Sequence, residues 1–118
     1  MTEIAYTSVV GTGVAADLSD HRALRSLAVA ALDAAGGSLV SEVVHEFIPH
    51  GLTVVLIAAE SHLVLSTWPE FQTVTLDLAL CGDAEGRPAC DVFSERLAPA
   101  HVQIREWSVA IGHEEETG

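Results

Sequence analysis

At 118 residues, with a formal charge of −12 and only five basic side chains, all arginine, the chain is not made to bind nucleic acid or an anionic membrane, since both require clustered Lys and Arg. Apolar residues, chiefly Ala, Val and Leu, make up 49% of it, which excludes a disordered chain and suffices for one core. The length predicts a single domain over residues 1–112, with an acidic tail at 113–118 that contains Glu114-Glu115-Glu116.

The acidic field favours a cationic small molecule as partner. No stretch approaches the roughly 20 apolar residues of a membrane span, and the first residues lack the basic start and apolar run of a signal peptide. Cys81 and Cys90 have neither zinc-type nor disulfide-framework spacing, so the cytoplasm is the expected compartment.

In chain order, Val14 to Leu18 is predicted as a first strand, entered through Gly11 and Gly13. Asp20 is placed as a helix N-cap. Behind it Leu24, Leu27, Ala28, Ala31, Leu32 and Ala35 fall on one helical face, and Gly36-Gly37 stop the helix. Ser38 to Phe47 alternates as a strand, and Pro49-His50-Gly51 turns the chain. Thr53 to Ala59 is a continuous apolar run that suits a central strand. Leu63 to Thr67 reads as a short strand closed by Pro69, and Thr73 to Leu80 as a half-buried one.

Pro88 to Leu97 is predicted as a helix with Val92, Phe93 and Leu97 inward, and Val102 to Ile111 as the last strand. The order β-α-β-β-β-β-α-β implies an α+β two-layer sandwich: a mostly antiparallel sheet with two helices on one face. One sheet face or edge then stays available for a partner, and a homodimer is expected.

The chemistry-bearing residues cluster in the middle third. Glu60-Ser61-His62 ends the apolar run Val54 to Ala59, Thr67-Trp68-Pro69-Glu70 follows, and Cys81-Gly82 comes twenty residues after Ser61. Upstream stands His45-x-Phe47-x-Pro49-x-Gly51. Taken singly, Ser61 could be an ordinary strand-end serine, Cys81 a small buried hydrophobe, and Phe47 and Trp68 core aromatics. His45, His50 and His62 have no metal-ligand spacing, so no metal is expected.

Together these residues resemble the processing and active-site segment of the small bacterial S-adenosylmethionine decarboxylases, over a stretch from about Gly11 to Trp107. The resemblance implies the two-layer fold, a place in polyamine biosynthesis, and a cationic, nucleoside-like substrate. It also implies a pyruvoyl cofactor made from Ser61 by self-cleavage after Glu60, which becomes the new C-terminus. In that scheme the Ser61 hydroxyl attacks the Glu60 carbonyl, a base removes the Ser61 α-proton, and elimination splits the chain. The dehydroalanine left behind tautomerises and loses ammonia to water, and the resulting pyruvoyl cap serves as an electron sink for decarboxylation.

The resemblance further gives Thr53 the role of a processing hydroxyl and Cys81 that of proton donor. Phe47 and Trp68 fall beside the adenine, and Glu70 at the ribose hydroxyls. Ser66 stands where the family has a processing histidine, and a hydroxyl is far too weak a base to replace imidazole. The family's Tyr-Gly-Cys after the first strand is replaced by Ser19-Asp20-His21. His62 is next to Ser61, but on a strand it points to the opposite face; His45 or His50 could stand in through space.

The leading expectation is a pyruvoyl-dependent decarboxylase of S-adenosylmethionine, or of a related amine-bearing amino acid such as ornithine or arginine. The alternative is a non-processing homologue that binds a ligand or partner, serves as a noncatalytic subunit, or catalyses an unrelated reaction in secondary metabolism.

Overall fold

A computed structural model describes residues 2–112; the acidic tail at 113–118 lies outside the described residues. The elements run β1 (Thr2–Thr12), α1 (His21–Ala34), β2 (Leu39–Glu46), β3 (Leu52–Ala58), β4 (Ser61–Trp68), a 3-10 turn (Pro69–Phe71), β5 (Thr73–Cys81), α2 (Arg87–Leu97) and β6 (His101–Ile111). The six strands form one sheet in the order β2-β3-β4-β5-β1-β6, with every neighbouring pair antiparallel. Both helices cover one face, giving the expected two-layer α+β sandwich.

Alternation along the strands sorts residues between core and open face. On β4, Ser61, Leu63, Leu65 and Thr67 are buried, while His62, Val64, Ser66 and Trp68 are not. On β3, Leu52, Val54, Leu56 and Ala58 are buried, and Thr53, Val55 and Ile57 are on the other side. The buried rows meet Leu24, Leu27, Ala28, Ala31 and Leu32 of α1 and Ala89, Cys90, Phe93 and Leu97 of α2. Asp20 caps α1 as expected, its carboxylate accepting the Ala23 N–H at 3.0 Å. Gly36, at φ 93°, ends the helix.

The first strand is where expectation and structure part. Val14 to Leu18 is a loop, and the strand is Thr2–Thr12, between β5 and β6. Val14 and Leu18 are buried, so their hydrophobicity serves the core without a ladder. The glycines close β1 instead of opening it. Gly11 lies under Phe93, whose ring an added Cβ would meet at 2.8 Å, and Gly13 turns the chain at φ 62°. The strand expected from Leu63 to Thr67 is longer at both ends, running Ser61–Trp68. In α2, Phe93 and Leu97 are buried as expected, whereas Val92 only packs against the core's edge.

Among the described residues, no helix lies on the open face. Exposed apolar side chains there include Val43, Ile57, Trp107 and Val109, and Trp107 stacks flat on Tyr6 at 5.2 Å between ring centres.

Candidate active site

The β3–β4 connection is a two-residue turn, Ala59-Glu60, closed by the Ala58–Ser61 pair. Its second residue, Glu60, has φ 57°, in the left-handed region that costs a non-glycine residue about 1 kcal/mol or more. The strained residue is thus the one whose carbonyl precedes Ser61. Ser61 is 9% exposed, and its Oγ accepts the backbone N–H of Cys81 at 3.2 Å. Ser61 and Cys81 share a cavity of about 340 Å³ with Gly37, Ser38, Ala59 and Asp83. The structure therefore joins Glu60, Ser61 and Cys81 at one end of the hairpin.

The remaining candidates, His62 apart, gather at the other end. Phe47, Thr53, Ser66, Trp68 and Glu70 line a second cavity of about 300 Å³, together with His50. The chain reaches it through the turn after β2, where the Phe47 N–H donates to the Gly51 carbonyl at 2.9 Å. Thr53 and Ser66 are paired across the β3–β4 ladder, and their hydroxyls lie 3.0 Å apart. His50 Nε2 donates to Glu70 Oε1 at 3.2 Å. His45 packs its ring edge-on against Phe47, 4.5 Å between centres.

One chain does not bring the two groups together. Ser66 is five residues beyond Ser61 on the same strand and faces the open side of the sheet, whereas Ser61 faces the helices. At the rise of an extended strand the separation is about 17 Å. His62 shares the open face with Ser66, beside Ile57 and Ala79, and joins neither cavity.

The His50–Glu70 contact was not legible in sequence, because twenty residues separate the two and only the Pro69–Phe71 turn swings Glu70 back over the hairpin.

The surroundings of Ser61 fit a pyruvoyl group made in place. Ser61 starts a ladder strand, so a cut in the turn before it would leave β4 paired to β5. Its Oγ already has a backbone donor in Cys81 N–H, and the adjoining cavity leaves room at the new end.

The architecture and site define a two-layer α+β protein with a serine directly after a left-handed turn residue and hydrogen-bonded to the Cys81 N–H. The S-adenosylmethionine decarboxylase family model matches residues 8–108. The S-adenosylmethionine decarboxylase proenzyme of Hydrogenobaculum sp. is 38% identical over 92 residues, 76% of this chain and 69% of that protein. The proenzyme of Archaeoglobus fulgidus is 35% identical over 83 residues, 70% of this chain and 74% of its own. The crystal structure of the adenosylmethionine decarboxylase from Aquifex aeolicus superposes with a TM-score of 0.84 at 29% identity, covering 96% of this chain and 95% of that one. The chain belongs to the S-adenosylmethionine decarboxylase family.

Proposed function

We propose that the chain is a proenzyme that cleaves itself between Glu60 and Ser61 and then decarboxylates S-adenosylmethionine through a pyruvoyl group left on Ser61. The observation that carries this reading is the Ser61 environment: a strained Glu60 before it and the Cys81 N–H on its hydroxyl. In self-cleavage the Ser61 hydroxyl adds to the Glu60 carbonyl and the amide becomes an ester. Release of the left-handed Glu60 geometry offsets part of that step's cost.

A pyruvoyl group held at Ser61 would supply an electrophilic carbonyl for the substrate amine and an electron sink for the loss of carbon dioxide. The chain's own residues do the rest. Cys81, at the rim of the Ser61 cavity, returns a proton to the substrate carbon. Phe47 and Trp68 flank the adenine, and Glu70 accepts from the ribose hydroxyls. The sulfonium is drawn in by the chain's negative field.

Two copies complete the site. The Ser61 and Ser66 ends of the hairpin are about 17 Å apart on opposite faces, so neither end is sufficient alone. Pairing the open faces covers Val43, Ile57, Trp107 and Val109 and brings one copy's β3–β4 turn toward the other's Thr53–Ser66 end, through its backbone and not through the helix-facing Ser61 side chain. The retention of Glu60, Ser61 and Cys81 as one cluster favours this reading over a non-processing homologue.

Intact mass under denaturing conditions tests it. Two fragments divided between Glu60 and Ser61, the second with a blocked amino end, together with release of carbon dioxide from S-adenosylmethionine, are expected. A chain that stays whole at about 12.4 kDa overturns it.

A further inference from the structure

Self-cleavage needs a base for the Ser61 α-proton, and neither hydroxyl of the Thr53–Ser66 pair is one. Among the described residues that line the cavity holding the pair, one carries an imidazole, His50. A carboxylate only accepts hydrogen bonds, so the 3.2 Å contact with Glu70 Oε1 puts a proton on His50 Nε2. In the neutral ring that leaves the lone pair on Nδ1. The carboxylate thus fixes the tautomer that leaves Nδ1 as the proton acceptor.

The other lining groups from β3, β4 and the turns are Gly51, Thr53, Ser66, Thr67, Trp68 and Pro69, none of them titratable in the neutral range. Just after β2, Phe47 lines the cavity, and His45 of β2 lies against that ring outside it.

We propose that His50, oriented by Glu70, is the general base of self-cleavage, standing in for the imidazole that position 66 lacks. This rests on the function proposed above, including the pairing of two copies. In the ester formed between Glu60 and Ser61, the α-proton of Ser61 passes to Nδ1 of the other copy's His50. The Ser61 Cβ–Oγ bond breaks, releasing the Glu60 carboxylate and leaving a carbon–carbon double bond on the new end. His50 then gives its proton to water. Thr53 and Ser66 hold the ester by hydrogen bonds. Glu70 is a positioning residue in this step, and its Oε2 remains for substrate.

The test follows cleavage of freshly synthesised full-length chains by intact mass. His50→Ala is expected to slow cleavage by about 10²–10⁴-fold, and added imidazole to restore it in part. His50→Ala combined with Ser66→His is expected to cleave again. His50→Gln keeps a donor for Glu70 without a base, so it should stall like His50→Ala. That variant decides the matter should His50→Ala fail to fold. Cleavage of His50→Gln at the wild-type rate overturns the proposal while leaving the decarboxylase reading intact. A wild-type chain that never cleaves overturns both.

Discussion

The hydroxyls of Thr53 and Ser66 share a 3.0 Å hydrogen bond across the β3–β4 ladder, on the open face of the sheet. It is the contact that fills the place where the family resemblance puts a serine and a histidine. Thr53→Val keeps the shape of the side chain and removes the bond. A net loss of about 1 kcal/mol is expected in urea unfolding of the uncut chain. Self-cleavage should slow about fivefold, the rate equivalent of the same energy. Thr53→Ser should retain both properties. Unchanged cleavage in Thr53→Val would remove the pair from the processing machinery.

Glu60 gives a backbone prediction. Its φ of 57° suits glycine, whereas an L side chain there is strained. In a Ser61→Ala background, which cannot be cut, Glu60→Gly should be more stable than Glu60→Ala by about 1 kcal/mol. With Ser61 restored, Glu60→Gly should cleave more slowly than Glu60→Ala, because the relaxed turn no longer favours ester formation. Equal stabilities in calorimetry would show that the turn stores nothing.

Much of this site was legible in sequence because it is local. Glu60-Ser61 sits between the continuous apolar run Thr53 to Ala59 and the short strand Leu63 to Thr67, so the turn falls between them. Asp20 and Gly36-Gly37 fixed α1 for the same reason, since caps and stops act within a turn. The N-terminal strand was not legible. Thr2–Thr12 mixes Thr, Ser, Glu and Gly with its apolar residues, and what makes it a strand is the presence of β5 and β6 on its two sides. Division of the candidates into two cavities was equally hidden. The parity of position 66 relative to position 61 places them on opposite faces, but their distance from Cys81 and Glu70 depends on the whole sheet.

The two thiols should differ sharply. Cys90 is buried on α2 under the sheet, and burial pushes its pKa up, with the nearby Arg87 charge opposing and Glu106 and Asp91 reinforcing the shift. The thiolate is the reactive form, so Cys90 is doubly protected. Cys81, partly exposed at the rim of the Ser61 cavity, is open to reagent. Iodoacetamide on the folded protein should therefore label Cys81 alone and abolish decarboxylation, with Cys90 labelled only in denaturant. Labelling of Cys90 in the native state would contradict the packing of α2.

Acid should weaken the fold through two carboxylates. Hydrogen bonds from the Ser19 side chain and backbone hold Asp17 below its ordinary pKa, and the Arg25 guanidinium does the same for Glu42. A group whose folded pKa is depressed binds fewer protons folded than unfolded. Its contribution is present above the ordinary carboxylate range and disappears as pH falls through the lowered values. Asp17 is exposed and Glu42 is only half-buried, so each contributes little. Glu42→Gln should flatten the fall of urea midpoint between neutral pH and the acid limb, while leaving the midpoint at the acid end almost unchanged. An identical pH profile would assign acid loss elsewhere.

Pairing of the open faces is tested at Ile57. Its side chain is 44% exposed on β3, among Val43, Val55 and Val64, and in a lone copy it meets water. A charge there costs an isolated chain little, because the site is already hydrated. In a face-to-face pair the same charge is buried without a partner, a penalty of about several kcal/mol per copy. Ile57→Glu should therefore keep its secondary structure and thermal transition as a single copy, sediment as a monomer, and stay uncut. Each chain would still own an intact Ser61 and an intact Thr53–Ser66 pair, but no longer opposite one another. A monomeric Ile57→Glu that cleaves at the wild-type rate would place the whole reaction within one chain.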